Sequence, residues 1–290
     1  MHSFIESPAR ILSAIASNIF AGIESATAVR PYIKDMTDSE LFLILVTGMS
    51  TVASSVMALY VSFLSDSFPT IAGHLVSASI ISIPASFVIA KLMVPETGTP
   101  LTADVAKCEI SPESEAKSAT ESFISGADAG YKLAVGVAVT LIAFIGILGI
   151  VQGLAAHFTG EQNIIQMGLS YIFYPLAFLT GIQPSDVSVA SEMLGKRIIL
   201  TEIPAYLQLA DFTRAGGSPR TVLIMSYALC GFSHIASMAI FVGGIGALAP
   251  SKISNISRMG FKALVGSTFV TLMTGAVAGI FYWGQSGLIK

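Results

Sequence analysis

Five stretches of this chain run for 20 residues or more without a single Asp, Glu, Lys or Arg and are apolar enough to read as spans: Leu41–Ser65, Ser67–Ala90, Leu133–Ala156, Val222–Leu248 and Ala263–Tyr282. About 20 largely apolar residues are what a helix needs to cross the hydrocarbon core of a bilayer. There every backbone group must find its partner inside the protein, which a helix does within one segment. The expected fold class is therefore all-α, a polytopic membrane protein. Composition agrees: charged residues make up 11% of the chain, against about 25% in soluble domains, and mean hydropathy is +0.76. A net charge of −3 with no basic cluster gives no reason to expect nucleic acid as a partner. Cys108 and Cys230 lie far apart in unlike settings, so neither a disulfide nor a metal site is indicated. The opening MHSFIESPARIL lacks the charged-then-apolar order of a cleavable signal peptide.

Two further apolar stretches, around residues 11–29 and 187–210, are too short and too broken to span. One is interrupted by Gly22-Ile23-Glu24-Ser25, the other by Thr201-Glu202-Ile203-Pro204. A helix–break–helix that enters and leaves on the same side fits both, and such backbone is tolerated where protein or water satisfies it. Ile164–Ile182 is apolar but carries Pro175 and Gly181, and reads as interfacial or packed against protein.

The order of elements repeats. Residues 1–94 hold a re-entrant hairpin (8–34) and spans 41–65 and 67–93; residues 185–290 hold a hairpin (185–212) and spans 221–248 and 262–285. Between them lie a polar loop (95–130) and a segment, 131–184, with one span and the interfacial helix. Basic residues orient the whole. With the segment before Leu41 and the loops 91–132 and 252–262 inside, that side holds Arg10, Arg30, Lys34, Lys91, Lys107, Lys117, Lys132, Lys252, Arg258 and Lys262. The other side holds only Arg214, Arg220 and Lys290, with Lys196 and Arg197 belonging to the second hairpin, which puts the C-terminus outside. The hairpins then enter from opposite sides, as inverted repeats that allow alternating access to a midplane site.

Glu24 and Glu202 carry the chemistry this layout implies. A carboxylate at membrane depth is costly and marks a functional site by default, and two facing one cavity would accept hydrogen bonds from hydroxyls or ring N–H groups, or attract a cation. The plainer alternative is pairing with Arg30 or Arg197 near the interface. Ser50, Thr51, Ser54 and Ser55 put four hydroxyls into six residues beside Gly48. They suit either close helix packing or a local unwinding whose oxygens bind a hard cation such as sodium, with Asn18 as a further oxygen donor. Gly231–Ser237 is the matching break in the second unit. Its His234 is either a satisfied core residue or a proton relay, Phe232 is core or a stacking surface, and His74 caps or packs. No Gly-x-Ser-x-Gly, His-Glu-x-x-His or paired-Asp signature supports hydrolysis, so no enzyme is expected.

At these residues the chain resembles the concentrative nucleoside transporter family. The likeness is carried by SNIFAG with Glu24, RPYIKDMTDSEL, GMSTVASSVMALY, AGHLVSAS, AKLMVPET, GADAGYKLAVGVAVTLIAF, MLGKRIILTE, YALCGF and GGIGALAP, in family order through essentially the whole chain. The resemblance implies a homotrimer in the plasma or inner membrane that imports nucleosides together with a cation, with sodium as the expected ion, and uses no other cofactor. By position it implies that Glu24 and Val56 face the nucleobase, that Glu202 binds ribose hydroxyls, and that Phe232, His234 and Ser237 line base and sugar. It places sodium on Asn18, the Ala21 carbonyl, Thr51 and the Val52 carbonyl.

The departures from the family pattern are specific. The family's Gly-Gln-Thr-Glu-Ala-Pro is Gly22-Ile23-Glu24-Ser25-Ala26-Thr27 here, Asn-Glu-Phe is Thr201-Glu202-Ile203, and an Asn is replaced by His234. Base preference therefore does not carry over, and His234 opens the alternative of proton coupling. The family also places three spans ahead of the first hairpin, whereas this chain begins almost at it. A separately encoded scaffold, a truncated reading frame and a chain that has lost transport are the three readings this leaves.

Overall fold

The structure is a computed structural model that describes residues 32–98, 118–160 and 164–284. The first hairpin, with Asn18, Ala21 and Glu24, lies outside the described residues. Helices alone make up the regular structure of the described part: α1 (Asp38–Ser50), α2 (Ser54–Leu64), α3 (Ile71–Met93), α4 (Ala119–Thr159), α5 (Ile164–Leu179), α6 (Val187–Leu200), α7 (Glu202–Arg214), α8 (Pro219–Ala228), α9 (Ile235–Leu248) and α10 (Ile253–Ile280).

Two of the apolar stretches are divided. Leu41–Ser65 is split at Thr51–Ala53, where extended backbone ends α1, and Ala53 takes the N-cap position of α2 without a side-chain cap. Val222–Leu248 is split at Leu229–His234, so neither α8 nor α9 is long enough to span alone. Four helical stretches among the described residues are long and apolar enough to cross a membrane: Asp38–Leu64, Ile71–Met93, Ala119–Thr159 and Pro250–Ile280. With the composition, these make the chain an integral membrane protein.

Helix α4 starts inside the stretch read as a polar loop. Ser118 caps it by accepting from the Glu121 N–H at 3.1 Å, and the helix then runs for 41 residues. At 1.5 Å per residue that is roughly 60 Å, about twice the hydrocarbon thickness. Helix α5 packs on α6 at close range, where a Cβ added to Gly195 would sit 3.0 Å from the Gln166 carbonyl oxygen. Pro175 is accommodated inside α5.

The centre of the bundle is α10, which packs against α1, α3, α8 and α9. Its glycines let it come close: a Cβ at Gly275 would lie 2.9 Å from the Ile224 carbonyl oxygen of α8. Small residues serve this purpose in membranes, where no hydrophobic force drives helices together. Polar links add to the packing, with Thr47 and Ser86 hydroxyls 2.9 Å apart between α1 and α3 and His74 Nδ1 3.0 Å from the Tyr227 hydroxyl between α3 and α8.

The two broken pairs run in opposite directions and cross at their breaks. Helix α1 begins at the end of the molecule where α9 finishes, since Lys252 donates to the Met36 carbonyl. At the crossing, Ser233 Oγ donates to the Met49 carbonyl at 3.2 Å. A Cβ on Gly231 would come within 2.8 Å of the Ser50 carbonyl oxygen, so only glycine permits this approach.

Candidate functional site

Helices α6 and α7 pack on one another and meet at Thr201, which has φ 87° and ψ 175°. A side chain rarely adopts that conformation, and strain of this kind gathers at functional sites. The next residue is Glu202, the first of α7 and only 4% exposed. The turn thus delivers a carboxylate to the interior at the start of a helix, where the free N–H groups favour negative charge.

Two side chains from other elements hold Glu202. The Tyr60 hydroxyl, from α2, donates to Oε1 at 2.7 Å. Tyr60 is fully buried and stacks on Tyr206 of α7, with ring centroids 4.2 Å apart and planes 13° from parallel. His234 Nε2 lies 2.8 Å from Oε2. That contact is close but poorly directed, because Oε2 has no well-aligned donor among the described residues. One carboxylate oxygen is therefore tightly held, while the other keeps acceptor capacity.

His234 is also the N-cap of α9. The Ser237 N–H donates to its Nδ1 at 3.0 Å, and Ser237 Oγ accepts from the His234 N–H at 3.2 Å. An accepting Nδ1 carries no proton, so the ring proton sits on Nε2, facing Glu202. The Ser237 hydroxyl has one proton to give to the carbonyl of His234 or of Phe232. The half-buried Phe232 ring stands at 87° to the imidazole, centroids 6.3 Å apart.

Of the residues singled out in the sequence, the fold brings Glu202, His234, Ser237 and Phe232 together at one junction. Val56 is half-buried against the core one turn before Tyr60. Thr51 and Val52 lie buried in the first break, and the Thr51 hydroxyl donates back to the Thr47 carbonyl at 3.0 Å. Arg197 does not pair with Glu202: its Nη1 donates instead to the Ala228 carbonyl and, at 3.1 Å, to Thr271 Oγ1. Tyr60 was missed, because a tyrosine in an apolar helix has nothing to set it apart from core. Among the described residues no cluster of His, Cys, Asp and Glu suits a metal ion.

Comparison with known proteins decides the family. Residues 74–279 match the family model described as the Na+ dependent nucleoside transporter C-terminus. The chain belongs to this family. Its members are transporters, not enzymes. The nucleoside permease NupC of Helicobacter pylori is 33% identical over 285 residues, covering 95% of this chain and 65% of that protein. Human solute carrier family 28 member 3 is 35% identical, over 93% of this chain and 41% of that one. An uncharacterized transporter of Haemophilus influenzae is 36% identical over 276 residues, covering 92% and 64%. Among solved structures, a variant of CNTnw in an outward-facing state matches with a TM-score of 0.82 and 31% identity, over 94% of this chain and 65% of that one. CNTnw in an inward-facing substrate-bound state matches at 0.76 and 32% identity. The chain thus spans about two thirds or less of the length of these relatives.

Proposed function

We propose that the chain forms the transport portion of a cation-coupled nucleoside importer that works by alternating access. The observation that carries this reading is the buried Glu202 carboxylate, with Tyr60 donating to one oxygen and His234 Nε2 beside the other, at the junction of two broken helices. A carboxylate with lone pairs to spare beside a His ring and a Ser hydroxyl suits the vicinal hydroxyls of a ribose, and Phe232 and Val56 offer apolar surface to a base. Glu24, from the first hairpin, is the proposed partner on the base side. The coupling ion is proposed to be sodium, on Asn18, the Ala21 and Val52 carbonyls and Thr51.

The layout of the molecule supports the mechanism. The α1–α2 and α8–α9 pairs run in opposite senses, as two inverted repeats with re-entrant hairpins require. Lys91, Lys252, Arg258 and Lys262 gather at the end where α1 begins, through Glu96, the Met36 carbonyl, Asp38 and the Met93 carbonyl. Taking that end as cytoplasmic places the C-terminus outside. A cleft of about 200 Å³, lined by Phe144, Leu148, Gln152, Leu200, Thr201 and Ala236, separates the α6–α7 tip from α4 and gives the tip room to move.

Sodium is preferred to a proton because the His234 Nδ1 is already occupied by the Ser237 N–H, so protonating the ring would break the cap of α9. A second reading rests on α4, whose apolar window is not buried by any of the described residues: the chain is a membrane subunit that transports only beside scaffold helices supplied by another polypeptide. Uptake of labelled uridine and adenosine by vesicles carrying the chain, with and without a sodium gradient, tests the first reading. Sodium-driven uptake should appear and fall by at least about tenfold in Glu202→Gln, since a charged hydrogen-bond acceptor is lost. Uptake indifferent to that substitution sinks the site assignment. Nucleoside binding without uptake, restored to uptake by added scaffold helices, selects the second reading.

A further inference from the structure

Arg197 sits at the centre of the molecule and has no part in the transport cycle just proposed. Its side chain is fully buried, and among the described residues it forms no ion pair with a carboxylate. Its partners are oxygens at a helix end: the carbonyl of Ala228, the last residue of α8, and the Thr271 hydroxyl. Nε and Nη2 have no partner among the described residues. Glu202 acts on it only through space, so a buried arginine with no carboxylate in contact draws on a further source of negative potential. The C-terminal end of a helix is one, with its unpaired carbonyls and the negative pole of its dipole. A second such end lies close by. A Cβ built on Gly231 would meet both the Thr271 methyl group and the Ser50 carbonyl, so the end of α1 lies beside Thr271, which Arg197 also bonds.

The two breaks differ in what they lack. The ion site proposed at the first break draws on oxygen donors only, from Asn18, Ala21, Thr51 and Val52, so any positive charge there comes from the coupled ion. The second break has a carbonyl and a hydroxyl in comparable roles, but its hairpin supplies a guanidinium. Asn18 stands six residues before Glu24, and Arg197 stands five before Glu202.

We propose that Arg197 is a tethered counter-cation: its guanidinium holds the C-terminal end of α8 as a co-transported ion would hold that of α1, so the second break takes no ion from solution. The comparison with the first break rests on the ion coupling proposed above. The role of Arg197 at the second break does not, and the test reads that break directly.

Cys230, two residues past Ala228 and 3% exposed, is a reporter built into the break. The measurement is the rate at which a membrane-permeant maleimide labels Cys230 in the full chain carrying Cys108→Ser. Arg197→Lys keeps the charge and should label at the rate of the unsubstituted break. Arg197→Gln keeps a donor for the Ala228 carbonyl but loses the charge, and should label about tenfold faster. Guanidinium chloride at millimolar concentration should slow labelling of Arg197→Ala toward the original rate. Equal rates in the Gln and Lys variants overturn the proposal, as does failure of guanidinium to protect the Ala variant. Where the neutral variants do not fold, the Lys variant decides alone, and a tenfold rise in its labelling overturns the charge role. A chain that proves unable to carry nucleosides leaves this test intact.

Discussion

Glu202 shows how far single residues can be read. A carboxylate in an apolar run is costly wherever the chain folds, so the position stands out without any structure. Its partners do not stand out. Tyr60 is 142 residues away, and His234 is one of several polar groups in a Gly- and Ser-rich stretch. The pairing with Arg197 weighed from sequence is replaced by a link from Arg197 to the end of α8, since the guanidinium reaches Ala228 rather than the carboxylate. Tyr60→Phe tests the new partner. The ring stays stacked on Tyr206, while a hydrogen bond to a charged group worth roughly 1.5–3 kcal/mol is lost. Equilibrium binding of labelled uridine should weaken by about tenfold or more, and the apparent melting temperature should fall with the loss of that buried bond. Unchanged binding would remove Tyr60 from the site.

At the scale of elements, what was legible followed from length and breakers. The long apolar runs became helices, and the runs with Gly, Ser and Thr at their middle became broken pairs. The start of α4 was not legible, because residues 119–130 are polar enough to pass for loop and only the Ser118 cap marks the helix. The strain at Thr201 was equally invisible, since φ at a non-glycine residue is set by how α6 and α7 are docked. It yields a prediction of its own. Thr201→Gly should relieve backbone strain of about 1–3 kcal/mol, less the roughly 0.5–1 kcal/mol that glycine costs in chain entropy. The apparent melting temperature of the purified protein should rise or hold. A clear fall would show that the Thr201 side chain stabilises the turn by more than its backbone strain costs.

At the scale of the whole molecule, the described residues leave helix α4 largely uncovered. Helix α4 touches the rest mainly through α9, and Ile142, Ile145, Ile147 and Ile150 stay exposed along it. Lipid can cover part of such a surface, and further copies of the chain fit the rest under the proposed homotrimer. Native mass measurement of the chain in mild detergent should give three copies, and cysteines placed at Ile147 should cross-link between copies. A monomer that never cross-links argues for scaffold helices from elsewhere.

The sequence by itself determined that the chain is helical, that it lies in a membrane, where its helices break and that Glu202 is the carboxylate to propose for a site. Each of these follows from a cost that any fold must meet: burying apolar length, satisfying backbone in lipid, and desolvating a charge. Only the tertiary structure decided that Tyr60 and His234 hold that carboxylate and that Arg197 holds a helix end. Partners are a matter of which segments meet. That depends on how glycine-lined helices such as α10 pack in space, and a linear pattern of residues does not encode it.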